Sequence, residues 1–488
     1  MLSTNLALST NDVACPAISA KEIYFGSVGT GNFSCSGQTR KTFLREQLQT
    51  ASQLNADLPR HPDELWHWIE SGVRQVGEEY KEYLADRKSG KPRRYFTTKA
   101  HALYFLKAVA PTKMVDGAWL YGVLKSWDDV RFGALIQIYL EELGEGIPDK
   151  NHVLIYKELL ASHGCDQWEA LSEEHYVQGA IQLALARHAD EFLPEVIGFN
   201  LGYEQLPLHL LITAYELNEL GIDPYYFTLH VTVDNASSGH AKKAVQAVFD
   251  ALPQLTDRDA FFQRVINGYK LNHLGTGTTS AIAGFDLEQE LLAILAGKCA
   301  VGSQLHSDYC RVAGKTVNQW LSDPAQLPEF LGGLQELGWI TRHQPPENSR
   351  FWKLIDGEHS EMFGVFNTYE KQVIHDWIAG DMAKAQAPRR LSHKARHRMM
   401  NTLAPGLRSH TQPSVERSII RDHCSRSGPE SSDPRLFNEE LRLLEEKIAR
   451  CGSKRDAMSY LTDLMAPGLH HTAAGLMATR IFTQLLRN

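Results

Sequence analysis

The chain has 488 residues, 43% of them hydrophobic and 22% charged, with a formal net charge of −8 at pH 7. That is apolar content enough for one large core or two, and the acidic balance argues against general binding to nucleic acid. No apolar run approaches the ~20 residues of a membrane helix, so no membrane partner is expected either.

Residues 1–60 are rich in Ser, Thr, Asn, Gln and Gly, show little periodicity, and read as a flexible leader. Their first residues lack the basic start and continuous apolar stretch of a signal peptide. Pro62-Asp-Glu opens a helix, and from there to about 275 nearly every segment carries helical spacing. Helices are expected over Lys99–Val109, Asp116–Leu124, Ala134–Leu143, His152–Ser162 and Tyr176–Arg187. Glu191–Leu220 reads as one long or broken helix with Pro207 at the kink, and Gly221-Ile-Asp-Pro224 as a stop before the next start. Few β-branched residues and no sustained alternation make the expected fold class all-α, a helical bundle. Residues 276–384 form a mixed, mainly helical extension, in which Leu337–Thr341 and Phe351–Ile355 suggest a short hairpin. Residues 385–433 are a basic, proline-containing connector, and 434–488 are C-terminal helices. The seven cysteines are scattered, odd in number and without a C-x-x-C pair, which points to reduced thiols and a cytoplasmic protein.

The most informative segment runs from Tyr225 to His240. His230 and Asp234 are four apart and share a face if helical, and His240 follows after a Ser-Ser-Gly stretch. Six residues at ~100° each carry His240 well round from Asp234, so a break or bulge between them is expected. Asn235, Ser237, Ser238 and Gly239 are poor helix formers and suit such a break. Upstream, Glu141, Glu142 and Glu145 precede Asp149 and His152, and Glu204 lies between the two clusters in apolar surroundings. Histidines and carboxylates from separate helices are what a two-iron site in a bundle requires. Each residue alone has a plainer reading: a hydrogen-bonded core histidine, a cap, or a solvated helix end. Spacing alone leaves the metal undecided.

The order Glu142, His152, Glu204, His230-x3-Asp234 and a further His resembles the motif of the heme-oxygenase-like diiron oxidases and oxygenases, which are iron-containing redox enzymes. The likeness covers about residues 95–260 and includes Leu-Gly-Ile-Asp-Pro-Tyr-Tyr-Phe before His230. It implies a heme-oxygenase-like helical domain over 61–275 with an additional helical C-terminal extension. By that resemblance the metal ligands are Glu142, His152, Glu204, His230, Asp234 and His240. Asp116 falls where some members place one more carboxylate. Glu145, seven before His152, competes with Glu142 for one role. The chain departs from many relatives in having five residues, not two, between Asp234 and the final His.

The resemblance also implies two Fe(II)/Fe(III) ions, O2 as co-substrate and an external electron donor. The expected activity is that of an O2-dependent non-heme diiron oxidoreductase. It would perform N-oxygenation, desaturation or oxidative cleavage of an amino acid or amino-acid-derived metabolite in specialised-metabolite biosynthesis. A carrier protein or a reductase is a candidate partner, and a homodimer is the expected assembly. The alternative is a non-catalytic iron- or heme-binding protein on the same scaffold, and the plainest is a helical interaction protein with structural histidines. Other features carry less. Gly26–Gly31 lacks a P-loop or Rossmann context and reads as a loop. His470 and His471 point to different helix faces and read as helix-end or surface residues. The basic run 389–398 lacks interleaved aromatics and reads as a solvated segment, or as a docking site for an acidic partner.

Overall fold

The computed structural model describes residues 18–29, 35–233, 239–357, 360–384 and 434–487. The described chain is helical almost throughout, as its composition predicts. The expected helices appear as Lys99–Ala108, Gly133–Glu142, His152–Ser162 and Val177–Arg187. Glu191–Leu220 is broken into Leu193–Tyr203 and Leu208–Glu219, with Pro207 capping the second helix. No helix among the described residues is long and apolar enough to cross a membrane. The basic run 389–398 lies outside the described residues.

Three expectations are corrected. The leader is not loose over its described part: Ala20–Val28 and Gly37–Ser52 are helices. Ser19 and Ser36, part of the polar composition that suggested disorder, act as N-caps. Among the apolar residues of the two helices, Ile23, Tyr24, Phe43 and Leu44 are buried. Next, Leu337–Thr341 and Phe351–Ile355 do not pair as strands. Arg350–Ile355 is a helix, because Trp352 and Ile355, three apart, bury on one helical face. A two-residue hairpin forms instead at Arg311–Val312 and Lys315–Thr316, where Ala313 and Gly314 both take positive φ. Finally, the segment after Asp116 is a 3-10 helix, Ala118–Ser126, rather than an α-helix.

Side-chain burial divides the molecule into two apolar clusters. One gathers the N-terminal helices, residues 115–143, 176–201 and 244–274, and the C-terminal helices through Leu444, Met458 and Phe482. The other gathers residues 96–110, 155–165 and 214–229 with the extension 281–378. Each half of the central bundle thus completes its core with chain from outside it. A buried carboxylate ties one of these junctions. Glu216 accepts hydrogen bonds from the Tyr83 hydroxyl at 2.8 Å and from the backbone N–H groups of Arg94, Tyr95 and Phe96 at 2.5–3.0 Å. It joins the long helix Leu65–Lys88 to the loop that leads into Lys99–Ala108. Glu216→Ala strips four donors of their acceptor, and a loss of about 3 kcal/mol or more is expected. A lower urea midpoint checks this; an unchanged midpoint would count against a structural role.

Candidate metal centre

The local sequence first sets the frame. Helix Gly133–Glu142 ends at Glu142, and the chain reverses through Gly144, Glu145 and Gly146, all with positive φ. A Cβ on Gly144 would lie 2.4 Å from the Lys150 carbonyl carbon, so only glycine lets the turn close on itself. Pro148 starts a short 3-10 turn, and Asn151 caps the next helix by accepting the Leu154 N–H at 3.0 Å. His152 therefore begins its helix beside the Glu142 that ended the previous one. Gly117, at φ 78°, does the same for Asp116: its missing Cβ would stand 2.9 Å from Glu142 Cβ.

Two groups of ligand-type atoms result, each with members within 4.8 Å of one another. Asp116, Glu142, His152 and His230 form one; Glu142, Glu204 and His240 form the other. All six residues are buried, and Glu142 belongs to both groups. Asp116, Glu142, Glu204 and His240 come from segments of the first apolar cluster, while His152 and His230 come from the second. The site sits where the two cores meet.

The imidazoles are aimed by their outer nitrogens. His230 Nδ1 lies 2.8 Å from the Tyr226 carbonyl, so it carries the proton and Nε2 faces Asp116 at 3.2 Å. His240 Nε2 lies 2.8 Å from Glu141, while Nδ1 lies 3.0 Å from Glu204 and 3.3 Å from Glu142. A histidine whose far nitrogen is held by a carbonyl or carboxylate is the usual arrangement of a metal-binding imidazole. Asp116 accepts from the Tyr203 hydroxyl at 2.7 Å and the Tyr226 hydroxyl at 2.5 Å, and Lys113 donates to Tyr203 at 2.8 Å.

Charge is consistent with this geometry. Burial would raise the Asp116 carboxyl, but Lys113, His230 and His152 hold it well below its ordinary range. Glu142 is likewise raised by burial and pulled down further by His152 and His240. Burial acts against Glu141 too, and His240 and Lys243 bring it down to about 2. These influences favour the anionic form of Asp116, Glu142 and Glu141, as a cation site requires. Glu142 Oε2 and His152 Nδ1 approach to 2.6 Å as a buried ion pair. In such a buried carboxylate–imidazole pair a metal cation can take the place of the shared proton. The donor set, carboxylate and imidazole oxygen and nitrogen without thiolate, suits iron.

The structure brings together Asp116, Glu142, His152, Glu204, His230 and His240. Glu145 stays apart: it pairs with Arg487 at 2.6 Å, on the outer side of the turn. Asp234 lies outside the described residues. The helix carrying His230 ends at Val233, and a separate helix begins at His240 after an extended Gly239. Sequence reading gave no site role to Glu141, Tyr203 or Tyr226. Glu141 was visible as the neighbour of Glu142, and Tyr226 as a residue one turn before His230. Gly117→Ala would force Glu142 aside, and metal binding weaker by an order of magnitude or more is expected, with the helical far-ultraviolet spectrum retained. Undiminished metal affinity in that variant would show that the close approach is not needed.

Comparison with known proteins places this geometry. No curated protein and no solved structure gave a match to the chain. Residues 103–273, which hold all six gathered side chains, match the model of a family described as iron-containing redox enzyme. Over that stretch the chain is similar to the iron-containing redox enzyme family, whose fold is the helical heme-oxygenase-like one.

Proposed function

We propose that the protein is an O2-dependent non-heme diiron oxidase or oxygenase acting on an amino acid or an amino-acid-derived metabolite. The observation that carries this reading is the pair of buried carboxylate–histidine groups sharing Glu142. Asp116, Glu142, His152 and His230 would hold one ion, and Glu142, Glu204 and His240 the other, with Glu142 between them. Asp234 remains a candidate ligand by its place in the sequence. Bound iron supplies the electrons that reduce O2 and an open position at which it is activated.

The chain's own groups hold that chemistry in place. Tyr203 and Tyr226 fix both oxygens of Asp116 by donating to them. The Tyr226 carbonyl and Glu141 set the tautomers of His230 and His240. A cavity of about 820 Å³ runs along His152 and Tyr226, large enough for a small metabolite. Ile155, Leu159 and Leu229 form apolar wall, and the charged lining is mainly acidic, with Glu141, Glu145, Asp149, Glu158 and Asp223 against Lys150. An amino acid's ammonium and carboxylate would meet complementary groups there, beside an apolar surface for its side chain.

Anaerobic loading with Fe(II) tests the centre. About two irons per chain are expected, together with a raised thermal midpoint, since the ions bind the folded state alone. Saturation at one iron, or a Soret band in the purified protein, would overturn the diiron reading. His230→Ala should abolish O2 consumption and lose iron while its far-ultraviolet spectrum stays helical, because the surrounding core is large. Outright unfolding of that variant without metal would make His230 structural.

A further inference from the structure

The C-terminal helices lie far outside the family-matched stretch, yet they grip the turn that sets Glu142 beside His152. The Tyr139 hydroxyl, one turn before Glu142, donates to the Met465 carbonyl at 2.6 Å. Arg480 Nε donates to the Gly146 carbonyl at 3.1 Å, and Arg487 pairs with Glu145. A Cβ on Gly146 would lie 2.3 Å from the Leu476 carbonyl oxygen, so the turn and the last helix are in direct backbone contact.

At the centre of this contact is Asn151, fully buried and adjacent to His152. Its side chain makes three hydrogen bonds. Oδ1 accepts the Leu154 N–H at 3.0 Å and so starts the His152 helix. Nδ2 lies 3.2 Å from the Leu143 carbonyl and 3.1 Å from His470 Nδ1. The amide has two hydrogens, one for each acceptor. His470 Nδ1 must then accept, which puts the ring proton on Nε2. Burial, with His471 beside it, pushes His470 down to about 3, so the ring is neutral and able to accept. His470 was expected at a helix end or on the surface; it is instead 1% exposed, against the turn.

We propose that His470 is a positioning residue for the metal centre: by accepting from Asn151 it locks the amide that ties the end of the Glu142 helix, at Leu143, to the start of the His152 helix. The proposal rests on the reading of Glu142 and His152 as ligands. It gives residues 434–487 a role in metal binding and not only in covering a core. Without His470 the amide keeps its cap and its bond to Leu143 but gains freedom to rotate, and the two ligand side chains lose their fixed separation. Outer groups that orient ligands typically contribute 10–100-fold in metal affinity.

The test compares His470→Leu, which fills the space without an acceptor, with His470→Asn, whose Oδ1 stands near the place of Nδ1. Fe(II) affinity is measured anaerobically by competition with a chelator, and the ligand-field spectrum is read on protein loaded with Co(II). We expect about tenfold weaker Fe(II) binding and an altered Co(II) spectrum for the Leu variant, with both restored towards wild type by Asn. Equal affinity and spectrum in the Leu variant, or an Asn variant as impaired as Leu, overturns the proposal. If the Leu variant fails to fold, Asn151→Ser decides by the same two readings. It keeps an oxygen for the cap but is too short to reach His470, so wild-type affinity and spectrum in it would equally overturn the proposal. A wild-type protein that takes up no metal would sink the metal centre itself, an outcome seen before any variant is made.

Discussion

A carboxylate buried as deeply as that of Glu142 must be met by positive charge or by hydrogen-bond donors, and the surrounding chain is arranged around that need. His152 and His240 face it from two helices, and Asp116 crowds it from a third segment across a glycine. Carboxylates held this close repel one another in a low-dielectric interior. What makes the arrangement tolerable is the set of groups that favour the charged form of Asp116: the hydroxyls of Tyr203 and Tyr226, with Lys113 donating to Tyr203. The clearest structural argument for a cation is that two buried groups of ligand-type atoms share Glu142.

The site's location follows from how the cores are divided. Polar groups are cheapest to bury where two apolar clusters meet, because neither cluster need be interrupted. The extension 281–378 completes the cluster that carries His152 and His230. The N-terminal helices and residues 444–482 complete the cluster that carries the carboxylates and His240. The chain outside the family-matched stretch therefore sets the rigidity of both walls. The grip of the C-terminal helices on the Gly144–Asn151 turn is the most local instance of this, since that turn is covalently continuous with two of the facing groups.

The cavity beside His152 has a matching logic. Its wall combines the apolar Ile155, Leu159 and Leu229 with His152 and Glu141, so the cavity reaches the buried cluster directly. A substrate entering there would be oriented by its polar ends while presenting its carbon skeleton to the buried side. Tyr226 belongs both to the cavity wall and to the hydrogen bonds of Asp116, so it links substrate space to ligand geometry through one side chain.

Much of this was legible in the sequence. Helical periodicity, the stop at Gly221–Pro224 and the proline at 207 determine the bundle's elements, because these are local properties of the backbone. Glu142, His152, Glu204, Asp234, His230 and His240 were singled out by resemblance to a family motif, since spacing alone left the metal undecided, while the poor helix formers before His240 suggested two helices where a straight one could not serve. Other features needed the tertiary structure. Whether Glu142 or Glu145 faces inward depends on a turn with three positive-φ residues, which sends neighbouring carboxylates to opposite sides. The role of Glu141 depends on His240, about a hundred positions away along the chain. The burial of Ile23 and Phe43 in a polar stretch, and of His470 against Asn151, depends on which surfaces the ends of the chain find. Local chemistry determines what a segment is; which distant group completes it is decided only when the two cores close on one another.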